Sequence, residues 1–144
     1  MEKTGLVNSI TDMLGNISRV YDLKFITNWE GIDEPQLSDQ LKLTIYRILQ
    51  EQLNNILKHA KAKTVSIELK QHVILLELNI KDDGIGFDVS SKRNGVGLQN
   101  IISRTELFNG NVSINSQPGK GCELIVYFNI KQELNSVEAI PELL

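Results

Sequence analysis

Apolar and polar residues recur along the chain with two periods, which predict three helices and five strands. A period of about 3.6 residues predicts helices over 5–20, from about 39 to 61, and from 95 to about 108. Alternation or dense apolar runs predict strands over 23–29, 64–69, 73–80, 112–116 and 122–130. Short turns join the last four strands into two hairpins, with the first hairpin turn near 70–72. The predicted fold class is α+β: a two-layer α/β sandwich with a mixed, mostly antiparallel sheet, covered on one face by the three helices.

The longest predicted helix carries an apolar stripe and a polar stripe. Ser38 or Asp39 can cap its first turn. Its core-facing residues are Leu41, Ile45, Ile48, Leu49, Leu53, Ile56 and Ala60. Glu51, Asn55 and Lys58 follow the same period on another face, since residues three and four apart are neighbours on a helix. Such a stripe is by itself an ordinary solvated surface, and only the glycine motifs further along favour a functional site.

Two glycine motifs fall between predicted elements. The segment Asp82–Gly86, DDGIG, follows a strand, and the segment Gly95–Leu98, GVGL, opens a helix. Glycine lets the backbone approach a ligand closely, and the free N–H groups of a helix start bind phosphate. Each motif alone is more consistent with a tight turn than with a binding site. Neither completes the dinucleotide fingerprint GxGxxG, and the phosphate loop GxxxxGK[ST] is absent from the sequence.

Composition and charge narrow the classes of protein. The chain of 144 residues suits a single domain over 1–131, followed by an acidic, weakly patterned tail over 132–144. A net charge of −3 gives no support to nucleic-acid binding. Cys122 is the only cysteine, which excludes an internal disulfide and a cysteine-based metal site. No apolar run approaches the roughly 20 residues of a membrane span. We therefore expect a cytoplasmic domain without direct membrane contact.

The motifs are more specific in combination than singly. ExxxN on a helix, DxGxG after a strand, GxGL opening a helix and GxG before the last strand occur in this order. This combination resembles the ATP-binding domain shared by sensor histidine kinases, type II topoisomerases and heat-shock protein 90, over roughly 5–130. It is most similar to the histidine kinase branch whose helix carries ExxxNxxKHA. Here that motif is matched by Glu51, Asn55, Lys58, His59 and Ala60.

The resemblance implies a site for ATP and Mg²⁺. Asn55 would be the metal ligand, and Glu51 would be a general base or orient the phosphate acceptor. Lys58 and His59 would face the phosphates, although His59 is equally a packed or surface imidazole. Asp82 would accept a hydrogen bond from the adenine amino group. The other implied nucleotide-binding residues are Gly84, Ile85, Gly86, Gly95, Val96, Gly97, Leu98 and Cys122.

Two departures qualify the resemblance. The family commonly has threonine where this chain has Cys122, and a thiol is a weaker hydrogen-bond partner than a hydroxyl. The implied lid over 87–94 is short, which is similar to the short-lid kinases, and Gly95 and Gly97 would be its hinge.

The resemblance implies the catalytic domain of a two-component sensor histidine kinase, which would donate the γ-phosphate of ATP to a histidine. His59 belongs to the ATP-site motif and His72 lies at a hairpin turn, so we expect a separate phosphoacceptor domain and a downstream response regulator. By itself this chain is expected to be a monomer with little turnover. Two alternatives remain open: an anti-sigma-type protein serine kinase, and a non-catalytic nucleotide-sensing or protein-binding module of the same fold.

Overall fold

A computed structural model describes residues 5–86 and 96–131, and its elements follow the predicted order. The helices are α1 (Leu6–Val20), α2 (Asp39–Asn55) and α3 (Val96–Glu106). A short 3₁₀ turn spans Glu34–Gln36, and a π-helical segment, Ile56–Ala60, continues α2. The strands are β1 (Lys24–Glu30), β2 (Thr64–His72), β3 (Leu75–Asp82), β4 (Gly110–Ser116) and β5 (Cys122–Asn129).

The five strands form one sheet in the order β1-β2-β3-β5-β4. β1 and β2 are parallel and are connected by way of α2, whereas the β2–β3, β3–β5 and β4–β5 pairs are antiparallel. Two parallel strands need a crossover connection, because a short turn reverses the chain and can join only antiparallel strands. The predicted α+β class and the mixed, mostly antiparallel sheet are confirmed.

The hydrophobic core lies between one face of the sheet and the helices. Along most of β2, β3 and β5, buried residues alternate with more exposed ones, so a single face carries the buried apolar side chains. The core-facing residues of α2 predicted from its periodicity are buried, except for the half-buried Ala60. The opposite sheet face is polar, and there Lys70 forms ion pairs with Glu68 at 3.1 Å and Glu30 at 3.9 Å.

Side-chain caps define where the first two helices begin. The Glu34 carboxylate accepts hydrogen bonds from the backbone N–H groups of Leu6 and Val7, which have no partner within α1. Ser38 caps α2, since its hydroxyl oxygen accepts the Leu41 N–H at 3.1 Å. Of the two predicted cap residues, the structure therefore selects Ser38 and places Asp39 inside the helix.

The first hairpin differs from its predicted bounds. The turn lies at Val73 and Ile74 rather than near 70–72, and β2 extends to His72. The extension is supported by Gln71, whose side-chain oxygen accepts the Asp33 N–H at 2.9 Å. At its C-terminal end, β3 extends to Asp82. There Asp82 pairs with Val65 on β2 and with Cys122 on β5, which satisfies its backbone groups.

Candidate functional site

A row of residues crosses four strands at one end of the sheet. Val65, Asp82, Cys122 and Ser116 are successive cross-strand partners on β2, β3, β5 and β4, and all four are buried. Buried polar side chains are uncommon in a small domain and usually have a specific reason. Of the four polar or charged residues buried in the described chain, Asp82 and Ser116 belong to this row and Gln52 contacts it. This end of the sheet is therefore the candidate site.

Asp82 is the charged residue of the row and is only 3% exposed. One carboxylate oxygen accepts the Gly84 N–H at 2.8 Å. Burial raises the pKa of Asp82, the Gly84 hydrogen bond opposes this, and the neighbouring charge of Asp83 adds to it. A carboxylate held in this position is suited to accept a hydrogen bond from an amino group of a ligand.

The adjacent Asp83 has a different role. It is exposed, and its carboxylate accepts the backbone N–H groups of Lys63 at 2.8 Å and Thr64 at 3.0 Å. These hydrogen bonds lower the pKa of Asp83, with the Thr64 bond contributing most. Asp83 therefore fastens the end of β3 to the start of β2, and the two consecutive aspartates divide into one structural and one site residue.

Gly84 brings the loop after β3 against the end of the α2 extension. A Cβ at this position would lie 2.2 Å from the Ala60 carbonyl oxygen, so no side chain fits. The next residue, Ile85, donates its N–H to the same oxygen at 2.7 Å, while its side chain is half exposed. The loop is thus held against the segment that carries Lys58 and His59.

Gly86 and Gly121 bring the same loop against the β4–β5 turn. Gly86 has a φ of +64° and Gly121 a φ of +71°, a region that favours glycine. A Cβ on Gly86 would lie 2.2 Å from the Gln117 carbonyl oxygen, and one on Gly121 would lie 2.2 Å from that of Asp82. Gly86 and Gly121 therefore allow the loop after β3, the β4–β5 turn and the end of β3 to pack closely beside Asp82.

Helix α3 contacts the polar stripe of α2 at two points. The Asn100 side-chain N–H donates to the Glu51 carboxylate at 3.0 Å. One turn earlier on α3, a Cβ on Gly97 would lie 2.9 Å from the Asn55 side-chain oxygen. Glu51 and Asn55 are both half-buried, and Leu98 is half-buried beside Gly97. The structure thus brings together the ExxxN motif and the helix that follows the second glycine motif.

Lys58 and His59 lie on the π-helical segment, and both side chains are exposed. The α-helix ends at Asn55. The three-residue spacing that would place Lys58 on the same helix face as Asn55 therefore does not apply to Lys58. Within residues 5–86 and 96–131, no hydrogen bond or ion pair joins Lys58 or His59 to the other candidate residues. Short π-helical segments are rare and frequently occur at functional sites.

Cys122 is 7% exposed and lies opposite Asp82. Burial raises the pKa of its thiol to about 11, and the Asp82 charge adds to the effect. The thiol is therefore protonated at neutral pH. Gln52, on the buried side of α2, directs its side-chain N–H toward the Cys122 sulfur at 4.0 Å.

Three residues at the site were not predicted from the sequence. Gln52 lies one turn after Ile48 and Leu49 on the core-facing side of α2, so a polar residue on an apolar stripe was the available signal. Asn100 follows the GxGL motif and gives no signal of its own. Ser116 ends a strand, and its hydroxyl donates to the Gly121 carbonyl oxygen at 2.8 Å, a contact that depends on strand pairing.

On the side of the site between α2 and α3, Asn55 and Glu51 supply side-chain oxygen atoms that could bind a metal. Mg²⁺ prefers hard oxygen donors, keeps several waters and is commonly held by one or two protein groups together with phosphates. In the described residues, no cluster of three or more histidine, cysteine or acidic side chains is arranged to hold a metal by itself. The donor set thus fits a metal that arrives with a phosphorylated ligand.

The remaining predictions concern residues that lie wholly or partly outside the described part of the chain. Gly95 and the implied lid over 87–94 lie outside the described residues, as does the tail over 132–144. Val96 is described only as the first residue of α3. None of the described helices has both the length and the apolar character needed to cross a membrane.

Comparison with protein families gives a match over residues 40–132. The matching family is described as "Histidine kinase-, DNA gyrase B-, and HSP90-like ATPase". The matched range contains the ExxxN motif, both glycine motifs and the last GxG.

Curated proteins with similar sequences carry histidine kinase names. The chain is 29% identical over 139 residues to an uncharacterized sensor-like histidine kinase of Chloroflexus aurantiacus, covering 91% of this chain and 23% of that protein. It is 39% identical over 88 residues to the signal transduction histidine-protein kinase/phosphatase UhpB of Salmonella typhimurium. This match covers 61% of this chain and 18% of that protein. It is 31% identical over 113 residues to the signal transduction histidine-protein kinase/phosphatase DegS of Brevibacillus brevis, covering 78% and 28%. The chain therefore spans less than a third of the length of these relatives.

Solved structures support the fold. The histidine kinase domain of the blue-light activated histidine kinase of Erythrobacter litoralis EL346 superposes with a TM-score of 0.70 at 16% identity, covering 93% of this chain and 65% of that one. The histidine kinase AdeS of Acinetobacter baumannii gives 0.68 at 14% identity, covering 88% and 64%. At these identities the likeness concerns the fold alone.

Proposed function

Because this chain belongs to the family of histidine kinase-, DNA gyrase B- and HSP90-like ATPases, we propose that it binds Mg-ATP and donates the γ-phosphate within a two-component sensor histidine kinase. The acceptor is a histidine on a separate phosphoacceptor domain of the same kinase, and a response regulator acts downstream. The catalytic domain comprises residues 1–131, and by itself it is a cytoplasmic monomer with little turnover. The relatives named above support this assignment.

The observation that carries the proposal is the buried Asp82 carboxylate beside the glycine-lined loop. Asp82 accepts a hydrogen bond from the adenine amino group, whereas guanine has an oxygen acceptor at the equivalent position. A site whose buried polar group is left unpaired rejects the wrong ligand strongly. Close approach of the backbone at Gly84 and Gly86 lets the flat base lie against the loop. Ile85 and Cys122 complete the contacts of the base.

The phosphate side of the proposed site lies between α2 and α3. The free N–H groups at the start of α3, from Val96 to Leu98, attract phosphate oxygens. Asn55 would hold Mg²⁺ through its side-chain oxygen, and the ion would supply neutralisation of charge at the phosphates. Lys58 and His59 face the phosphates from the π-helical segment.

Glu51 orients the attacking imidazole of the acceptor domain or accepts its proton. Phosphoryl transfer depends mostly on alignment and on charge stabilisation, so the contribution of this chain is to hold the nucleotide in line. Asn100 keeps the Glu51 carboxylate beside the start of α3.

Calorimetric titration of a non-hydrolysable ATP analogue, with and without Mg²⁺, tests the proposal. We expect magnesium-dependent binding by the wild type, loss of the magnesium dependence in Asn55→Ala, and at least about tenfold weaker binding in Asp82→Asn. Asn54→Ala is the matched control, because Asn54 is the adjacent, exposed asparagine. Absence of binding by the folded wild type would refute the proposal.

A further inference from the structure

We propose that Gln52 is a positioning residue that orients the Asn55 side-chain amide so that its oxygen is presented to the metal. The inference rests on the proposed binding of Mg-ATP and adds a residue at a position that the ExxxN motif leaves unspecified.

Gln52 is a polar side chain buried at the centre of the site. It is 6% exposed and lies on α2 between Glu51 and Leu53. A buried amide must find hydrogen-bond partners, because an unpaired one costs free energy. The partners of Gln52 are Asn55, whose Nδ2 lies 3.5 Å from Gln52 Oε1, and Cys122, whose sulfur lies 4.0 Å from Gln52 Nε2. Both contacts lie at the long end of hydrogen-bond geometry.

The contact with Gln52 decides which end of the Asn55 amide faces α3. An asparagine amide presents an oxygen acceptor at one end and an NH₂ donor at the other. When Nδ2 donates to Gln52, Oδ1 is directed away from Gln52. A Cβ on Gly97 would lie 2.9 Å from Asn55 Oδ1 and 3.2 Å from Nδ2, so the oxygen is the atom nearer the start of α3. Only the oxygen can bind Mg²⁺, so the reversed amide would not hold the ion.

The orientation of Gln52 is set in turn by Cys122. The sulfur of Cys122 accepts from the Gln52 NH₂ at 4.0 Å. This leaves the Gln52 oxygen to accept from Asn55. Cys122 lies opposite Asp82 on the neighbouring strand, so the chain of contacts runs from the base side of the site to the metal side.

The test compares magnesium dependence in Gln52→Met, which keeps side-chain volume but has no amide. For each variant, titration of a non-hydrolysable ATP analogue with and without Mg²⁺ gives the ratio of the two affinities. We expect this ratio to fall about tenfold in Gln52→Met, as for residues that support a metal ligand, while magnesium-free affinity stays within about twofold. Gln50→Met is the matched control, because Gln50 lies on the same helix and bonds Arg47 instead.

Each outcome decides the matter. An unchanged ratio in Gln52→Met overturns the inference, and so does an equal loss of affinity with and without Mg²⁺, which would indicate a structural role. Absence of binding by the wild type refutes the proposed function and this inference with it, whereas binding by the wild type with an unchanged variant ratio refutes the inference alone.

If Gln52→Met does not fold, two substitutions of Cys122 replace it. Cys122→Ser keeps an acceptor for Gln52, and Cys122→Val removes it at similar volume. We expect the ratio to be kept in the serine variant and reduced in the valine variant. Equal ratios in the two variants would overturn the inference.

Discussion

Asn100 donates a hydrogen bond to the Glu51 carboxylate at 3.0 Å and so joins α3 to α2. Gly97 lies against Asn55 one turn away on both helices. Because residues three and four apart share a helix face, the two contacts lie on the same side of each helix. Any displacement of α3 therefore changes the surroundings of Glu51 and Asn55 together.

Replacing Asn100 by aspartate should weaken the contact between α2 and α3. A second carboxylate beside Glu51 replaces a hydrogen bond by repulsion, and we expect a loss of about 0.5–1 kcal/mol of unfolding free energy at neutral pH. The loss should shrink at pH 4 and in high salt, where the repulsion is neutralised or screened. Urea denaturation measures these values. Gln99→Glu adds the same charge at the exposed neighbouring position and should have little effect; an equal loss in both variants would contradict the prediction.

Asp82→Asn should stabilise the nucleotide-free protein at neutral pH although it weakens binding. Burial raises the pKa of Asp82, so the folded state binds the proton more tightly than the unfolded state does. Its contribution to stability is therefore fully present below the unfolded pKa of about 4 and is lost as the pH rises through the folded pKa. Removing the charge should raise Tm by a few degrees at pH 7 and much less at low pH.

Thermal unfolding of wild type and Asp82→Asn between pH 4 and pH 8, without nucleotide, measures this difference. Asp83→Asn should behave in the opposite way, because the hydrogen bonds from Thr64 and Lys63 lower the pKa of Asp83. A lower Tm for Asp82→Asn at pH 7 would show that the carboxylate is stabilised by its surroundings rather than destabilised by burial.

Gly84→Ala should be strongly destabilising, whereas Gly15→Ala should be mildly stabilising. The new Cβ at position 84 would lie 2.2 Å from the Ala60 carbonyl oxygen, a backbone atom, so the loop or the π-helical segment must move. Overpacking of this kind costs about 1–3 kcal/mol. Gly15 lies within α1 with nothing within 4 Å of its Cβ position, and alanine there should add about 0.5–1 kcal/mol. Chemical denaturation of both variants measures the contrast, and equal effects would contradict it.

Cys122 should react slowly with iodoacetamide in the folded protein. A rise of the thiol pKa from 9.0 to about 11 reduces the thiolate about 100-fold at pH 8. The rate should continue to increase with pH beyond 9, and it should rise in Asp82→Asn, since the Asp82 charge contributes to the raised pKa. Mass spectrometry of timed samples gives the rates, with the urea-unfolded chain as reference. A rate that levels off near pH 9 would contradict the prediction.

Much of the fold could be predicted because periodicity is a local property. The core-facing stripe of α2, the cap at Ser38 and the alternation of β2 and β5 depend on residues a few positions apart. The hairpin turn was misplaced because β2 extends through Gln71, which bonds a loop 38 residues earlier in the chain. The π-helical form of Ile56–Ala60 was not predicted either, since its sequence also fits an α-helix.

The motifs identified Glu51, Asn55, Asp82 and the glycines as candidates, but not the contacts that hold them. By itself, the sequence determined the order of helices and strands, the class of fold and the residue types available for nucleotide chemistry, because these follow from short-range spacing and from motif order. The tertiary structure decided that Asp83 fastens two strands while Asp82 is buried, that Asn100 bonds Glu51, and that Gln52 reaches Cys122, 70 residues away. Such contacts depend on strand order and helix packing, which bring distant residues together and leave no trace in local periodicity.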